Sequence, residues 1–360
     1  MTTLAWVVHN NASCTARLII EGMKQLGRND ISHTASREDT LGLREPRLHR
    51  ADTSSIGVFP DAASFVPNLA TPSFWQRLES ADFIVFTVNA GENHNAFRAA
   101  EIIRKKDLFH KLVYLDEDER GSLHPDLRDI FLKARLAFVW RPRLYRTFEV
   151  HPYVVNFGFN GVEQRYLKYN ISPEHKTTSV FYRGRLEHRP QRAPFIEALR
   201  NRSYSDSNIL PRLRENATNE DLIYQFVSGN RHNVDYFEQL AKAKICVVLH
   251  GGNPVGYQFW EGVGLNCAIV TQGPHATEWY AGGSYPAVFT DYEKWEPPFE
   301  PGQHFLTFES PAEMLDRIDY LLENDEVRSQ MARSAHELAV THYTERARAE
   351  RFLTYLFRKP

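Results

Sequence analysis

A chain of 360 residues exceeds the size at which one hydrophobic core stops growing, so about two domains are expected. Its 42% hydrophobic and 24% charged residues are those of an ordinary globular protein, and a formal net charge of −2 argues against nucleic-acid binding by bulk electrostatics. The three cysteines, Cys14, Cys246 and Cys267, lack the close pairing of zinc sites or disulfide frameworks, which suits a reducing compartment.

Taken in chain order, the patterning alternates strand and helix. Leu4 to Val8 reads as a first strand, too short and too lightly flanked for a signal peptide, and ARLIIEGMKQLG follows as an amphipathic helix closed by Gly27. Residues 29 to 55 are polar and poorly patterned. Then come the strand ADFIVFTV, the helix AFRAAEIIRKKD, the strand KLVYLD, a helix near PDLRDIFLKA, and AFVW. Repeated units of this kind predict a parallel sheet covered on both faces. YVVNFGFNG closes this half, and the polar stretch KYNISPEHKTT with Pro173 reads as a linker.

The second half restarts with the strand TSVFYRGR and the helix RAPFIEALRNR, followed by a strand LIYQFVSG and a helix NVDYFEQLAKAK. Near the end, SPAEMLDRIDYLLENDEVRSQMARSAHELAVTHYT predicts two helices, with Ser310 and Glu313 spaced as a capping box. The terminal RFLTYLFRKP predicts an amphipathic helix docked on its own protein in preference to a membrane surface. No stretch approaches about 18 consecutive apolar residues, so a cytoplasmic protein without a transmembrane helix is expected.

The densest unit runs from Tyr236 to Gln272. A buried strand at Ile245 to Leu249 leads into a loop holding Gly251, Gly252, Pro254 and Gly256; Glu261 sits in a short helix behind it, and Ala268 to Thr271 resumes a strand. Glycines there let a backbone bend sharply or approach a ligand, and a carboxylate in that place can accept two hydrogen bonds from a vicinal diol such as a ribose. Upstream, the turn FYRGRLEHRPQRAPF gathers Arg183, Arg185, Arg189 and Arg192 between a strand end and a helix start. Guanidinium groups match phosphate oxygens bidentately and stay charged.

This ordered set resembles glycosyltransferases of the two-Rossmann-domain (GT-B) fold, in the group 1 and exostosin-like families. The resemblance implies two Rossmann-like parallel-sheet domains with a cleft between them. They would comprise an acceptor domain over 1–172, a nucleotide-sugar domain over 173–340, and a terminal helix at 341–360 crossing back to the first domain. It implies sugar transfer from a nucleotide donor such as a UDP- or GDP-sugar to a hydroxyl of a glycan, lipid-linked sugar, protein or modified DNA base, with no separate cofactor. Glu261 matches the Glu that holds the donor ribose, and Gly184-Arg185 matches the diphosphate-binding pair. Arg183 joins that basic turn, and the exostosin-like arrangement favours Arg192 as a second phosphate ligand. Pro190 replaces the lysine of the group 1 pattern, and Asn253 replaces its earlier Glu. By the same resemblance Asn230 lies in the nucleobase loop, and Gly252, Asn253, Gly256, Tyr257 and Gln258 face the phosphates or the donor sugar. Trp260 reads as core packing.

His9, Asn10 and Asn11 follow the first strand, at the edge where open α/β sheets bind ligands, and are the acceptor candidates. Glu92 and His94 follow another strand to the same edge. If transfer inverts the anomeric centre, His94, Glu92 or Asp116 is the candidate base; if it retains it, the leaving phosphate can serve. The acidic run Asp116, Glu117 and Asp118 reads as a solvated loop, and the GT-B resemblance with the arginine cluster implies a leaving group stabilised without a divalent ion, so metal-independent transfer is expected. Two rivals share the fold: a sugar-nucleotide epimerase and a non-catalytic nucleotide-sugar-binding protein.

Overall fold

The computed structural model describes residues 2–7, 14–28, 30–33, 72–88, 94–116, 125–139, 151, 153–157, 161–185, 190–202, 204, 208–212, 236–250, 257–273, 297 and 299–357. The first sheet contains β1 (Leu4–Val7), β2 (Ile31–His33), β3 (Phe83–Val88), β4 (Leu112–Asp116), β5 (Leu136–Val139) and β6 (Val154–Asn156), in the order β2-β1-β3-β4-β5-β6. All its pairings are parallel. β2 lies inside the stretch that looks unpatterned in the sequence, because a strand of this length is too short to show a period. Around the sheet stand α1 (Cys14–Gln25), α2 (Pro72–Ser80), α3 (His94–Lys106) and α4 (Arg128–Leu132). Gly27 ends α1 at φ 73°, as its pattern predicts.

After α5 (Gln164–Leu167) the second sheet begins with β7 (Thr178–Arg185) and continues with β8 (Asn208–Arg212), β9 (Ala243–Val248), β10 (Ala268–Gln272) and β11 (Phe305–Phe308). Its order is β11-β10-β9-β7-β8, again parallel throughout. β8 carries Pro211, which reads against a strand; the edge position tolerates it, since only one neighbour has to be paired. The expected strand LIYQFVSG lies outside the described residues. The helices of this half are α6 (Ala193–Arg202), α7 (Tyr257–Gly264), α8 (Pro311–Glu323) and α9 (Asp325–His342), and residues 236–241 are also helical. Ser310 caps α8 by accepting from the Glu313 N–H at 3.2 Å, while the Glu313 carboxylate accepts from Glu309 N–H, one residue before the position a full capping box uses.

Alternation along each strand builds two cores per sheet. Ala5, Ile84, Phe86 and Tyr114 face α3 and α4, and Leu4, Trp6, Val85, Val113 and Phe138 face α1. In the second sheet Val180, Ile245, Val247 and Val270 pack under α6 and α8, whereas Phe181, Cys246, Val248 and Ile269 face α7 and α9. The last helix, α10 (Glu345–Phe357), returns to the first domain. Phe352 stacks on Phe138 at 4.6 Å and contacts Trp6 at 5.3 Å, so the apolar face of the terminal segment is committed to the protein's own core. The outgoing and returning chains touch there: Val162 N–H donates to the Tyr343 carbonyl at 2.9 Å.

Candidate nucleotide-sugar site

In each sheet the strand order reverses once, between β1 and β3 and between β7 and β9. At such a reversal the loops leaving neighbouring strands diverge, opening a crevice at the carboxyl edge where open α/β proteins take ligands. In the second sheet this edge receives Arg185, the last residue of β7, and Leu249 and His250, which follow β9. The pairing of Phe181 with Cys246 runs on toward those ends. The described ends of β7 and β9 therefore lie side by side at this edge.

Two of the arginines have defined surroundings. The Arg183 guanidinium lies over the Phe181 ring at 5.6 Å and the Tyr236 ring at 6.0 Å. Arg192, arriving from the turn before α6, donates through Nε to the His250 carbonyl at 2.8 Å and through a terminal nitrogen to the Leu249 carbonyl at 3.2 Å. His250 is held from the other side as well. Its ring Nε2 donates to the Gln272 carbonyl at 2.6 Å, and its backbone N–H donates to Gln272 Oε1 at 3.2 Å. Arg192, His250 and Gln272 thus tie the turn before α6 and the ends of β9 and β10 together at the root of the glycine loop.

α7 carries Glu261, and its seat explains the sequence EGVGLN. A Cβ on Gly262 would meet Ile269 Cδ1 at 2.6 Å and Cys246 Cβ at 3.2 Å, and one on Gly264 would meet the Tyr166 ring at 2.7 Å. Gly262 thus lets the helix lie directly on β9 and β10, and Gly264 lets it lie against α5; the sequence assigns these two glycines no role. The helix then stops sharply: Cys267 N–H donates to the Gly262 carbonyl, Asn266 N–H to that of Val263, and Asn266 adopts φ 61°, the left-handed cap that an asparagine accepts more readily than most residues. Trp260 is buried against Phe299 at 5.7 Å and Tyr343 at 4.9 Å, as core packing requires.

On this short helix the Glu261 carboxylate accepts a hydrogen bond from the Tyr236 hydroxyl at 2.7 Å. Burial, and then the neighbouring carboxylate, push the Tyr236 phenol well above its ordinary value, so it stays a donor at neutral pH. Sequence reasoning does not find this pair, because 25 positions separate the two and no local pattern links them. Tyr257 is exposed, and Gln258 is partly exposed with its amide nitrogen unpartnered among the described residues. A second group absent from the sequence expectations is Lys176, buried in the stretch read as linker. It donates to the carbonyls of Ala241 and Leu265 and lies 3.7 Å from Cys267 Sγ.

In the first sheet His94 opens α3 behind β3, and Asp116 ends β4 opposite Val88, so both backbones stand at the carboxyl edge. His9, Asn10, Asn11, Glu92, Asn230, Gly252, Asn253 and Gly256 lie outside the described residues. Among the described residues no group of three or more histidine, cysteine or acidic side chains could hold a metal, and no helix is long and apolar enough to cross a membrane.

Residues 195–354 match the family model described as glycosyl transferase-like. No curated protein matches the sequence. Among solved structures, a glycosyltransferase from Rickettsia africae superposes with a TM-score of 0.63 at 10% identity, covering 99% of this chain and 97% of its own. HepE from Anabaena, solved with UDP-glucose, gives 0.58 at 12% identity with 99% of both chains covered. A UDP-N-acetylglucosamine 2-epimerase gives 0.51 at 10% identity, covering 100% of this chain and 98% of its own. The chain thus has the GT-B fold of glycosyltransferases, with a glycosyl transferase-like match over residues 195–354.

Proposed function

We propose that this protein transfers a sugar from a nucleotide-sugar donor to an acceptor hydroxyl. The observation that carries this reading is the position of Glu261. Its carboxylate is held on a short helix packed tightly on β9 and β10 and is joined through Tyr236 to β7, the strand that carries Arg183 and Arg185. A carboxylate suits a ribose diol, and an arginine turn suits the diphosphate whose negative charge grows as the sugar departs. In this reading Glu261 binds the ribose and Arg185 the diphosphate, with Gln258 and the loop at Gly252, Asn253 and Gly256 toward the donor sugar. The chain divides near residue 172, and the acceptor enters from the first domain, where His94, Glu92 or Asp116 supplies a base if the reaction inverts. Fixed cations take the place of a divalent ion, so transfer should continue in a chelator.

The test is thermal stabilisation across a panel of UDP-, GDP- and ADP-sugars, followed by product analysis with donor alone and with acceptors. A ligand at about 100 times its dissociation constant adds roughly 2.7 kcal/mol of stability. One donor should stabilise the wild type, and Glu261→Ala should abolish the shift. No shift with any donor removes the donor site; an epimerised sugar nucleotide formed from donor alone replaces transfer with epimerisation.

A further inference from the structure

We infer that Tyr236 is a positioning residue for nucleotide selection: its hydroxyl fixes the Glu261 carboxylate so that the site prefers a ribose diol over a sugar lacking it. This inference rests on the proposed ribose role of Glu261. Tyr236 comes from the helical turn just before β9, not from α7, so the contact joins two separate elements on one face of the sheet. Its ring cannot wander. Phe181 of β7 meets it edge-on at 5.4 Å, Phe237 does so at 5.3 Å, and the Arg183 guanidinium lies 6.0 Å from its centroid.

A glutamate on a partly exposed helix face has three rotatable bonds, and ordering it when the ligand arrives costs binding free energy. A phenol anchored through its ring removes that freedom beforehand, and it occupies Oε2 with a neutral donor that leaves the carboxylate its charge. Arg183 of β7 stands on the same ring, which couples the end of that strand to the ribose carboxylate through one aromatic side chain. The contact therefore does more than satisfy a half-buried hydroxyl: it links the ends of two ligand-facing elements through a rigid third.

The experiment is calorimetric binding to the full chain of UDP, GDP and ADP, then of the tightest of these against its 2′,3′-dideoxy form. It uses the wild type, Tyr236→Phe, Glu261→Ala and the double variant. Phenylalanine keeps the ring and its contacts, so the fold is retained. Tyr236→Phe should weaken the ribonucleotide by about three- to tenfold, the scale of one ordinary hydrogen bond, and leave the dideoxy form unchanged. In the Glu261→Ala background the same substitution should change neither. Equal loss for both nucleotides, or the same loss in both backgrounds, assigns Tyr236 a purely structural role and overturns the inference while the ribose reading stands. Wild type that binds none of the three, or Glu261→Ala that keeps the ribose preference, overturns the ribose reading and this inference with it.

Discussion

Gly262 and Ile269 are packed so closely that a Cβ on the glycine would stand 2.6 Å from the isoleucine Cδ1. The Ile269 methyl can rotate away, but Cys246 Cβ at 3.2 Å belongs to the neighbouring strand and has to move with its backbone. Gly262→Ala should therefore lift α7 slightly off the sheet, at a cost of roughly 1–3 kcal/mol. Because Glu261 precedes it, nucleotide affinity should fall together with the melting temperature. A melting temperature that drops while nucleotide binding is untouched would separate the helix seat from the ligand site.

His336 on α9 connects the end of α7 to the segment after α5. Its Nδ1 donates to the Val263 carbonyl at 3.0 Å, and its Nε2 faces the Asn170 amide nitrogen at 3.3 Å, so the neutral ring is satisfied on both sides. Burial pushes its pKa below the ordinary 6.5. The unfolded chain then takes up the proton first as pH falls, so this stability is present above the unfolded value and is lost as pH drops through the folded one. The slope approaches about 1.4 kcal/mol per pH unit for one proton. Between about pH 7 and about pH 5 the wild type should lose stability more steeply than His336→Gln. His151 and His304, also lowered by burial, titrate in both proteins and cancel in the difference. Parallel stability curves would remove His336 as the source.

Much of the architecture is legible in the sequence because buried parallel strands are short apolar runs between turn signals. Phe83–Val88, Leu112–Asp116, Ala243–Val248 and Ala268–Gln272 are all of this kind. β2 and β8 are not, one being too short for a pattern and the other carrying a proline that only an edge position allows. At the candidate site, the helix carrying Glu261 is legible because it lies between the short apolar strands β9 and β10 in contiguous sequence. Tyr236, Lys176 and the Arg192–His250–Gln272 ties are not, because contacts between separate elements leave no period in the chain. Gly262 and Gly264 are visible as glycines, yet only the packing tells that the first serves helix–sheet approach and the second the approach to α5.

The terminal helix makes a separate prediction. A Cβ on Gly22 of α1 would lie 1.8 Å from the carbonyl oxygen of Glu345, a backbone atom with no rotamer to escape through. Gly22→Ala should destabilise more than Gly262→Ala, at or above the upper end of the roughly 1–3 kcal/mol typical of overpacking. Phe352→Ala, which empties the stack between Trp6 and Phe138, should cost about 3–5 kcal/mol. Both should make the region after Tyr343 an early site of limited proteolysis. Resistance there in a destabilised Phe352→Ala protein would mean that α10 stays docked without its aromatic anchor.

Arg192 distinguishes two ways a cation can serve the same site. Its Nε and one terminal nitrogen already bond the carbonyls of His250 and Leu249, so part of its action is to hold the end of β9 where the glycine loop departs. Lysine cannot reproduce that planar two-point contact. Arg192→Lys and Arg192→Ala should therefore lower the melting temperature similarly, by the equivalent of roughly 1–3 kcal/mol for two carbonyls losing a charged donor. Nucleotide titrations then read the second role. If Arg192 also meets the diphosphate, lysine should recover part of the nucleoside diphosphate affinity that alanine loses, with no recovery for the bare nucleoside. If its work ends at the two carbonyls, both variants should weaken nucleoside and nucleoside diphosphate by the same factor, and the diphosphate would then rest on Arg183 and Arg185 alone.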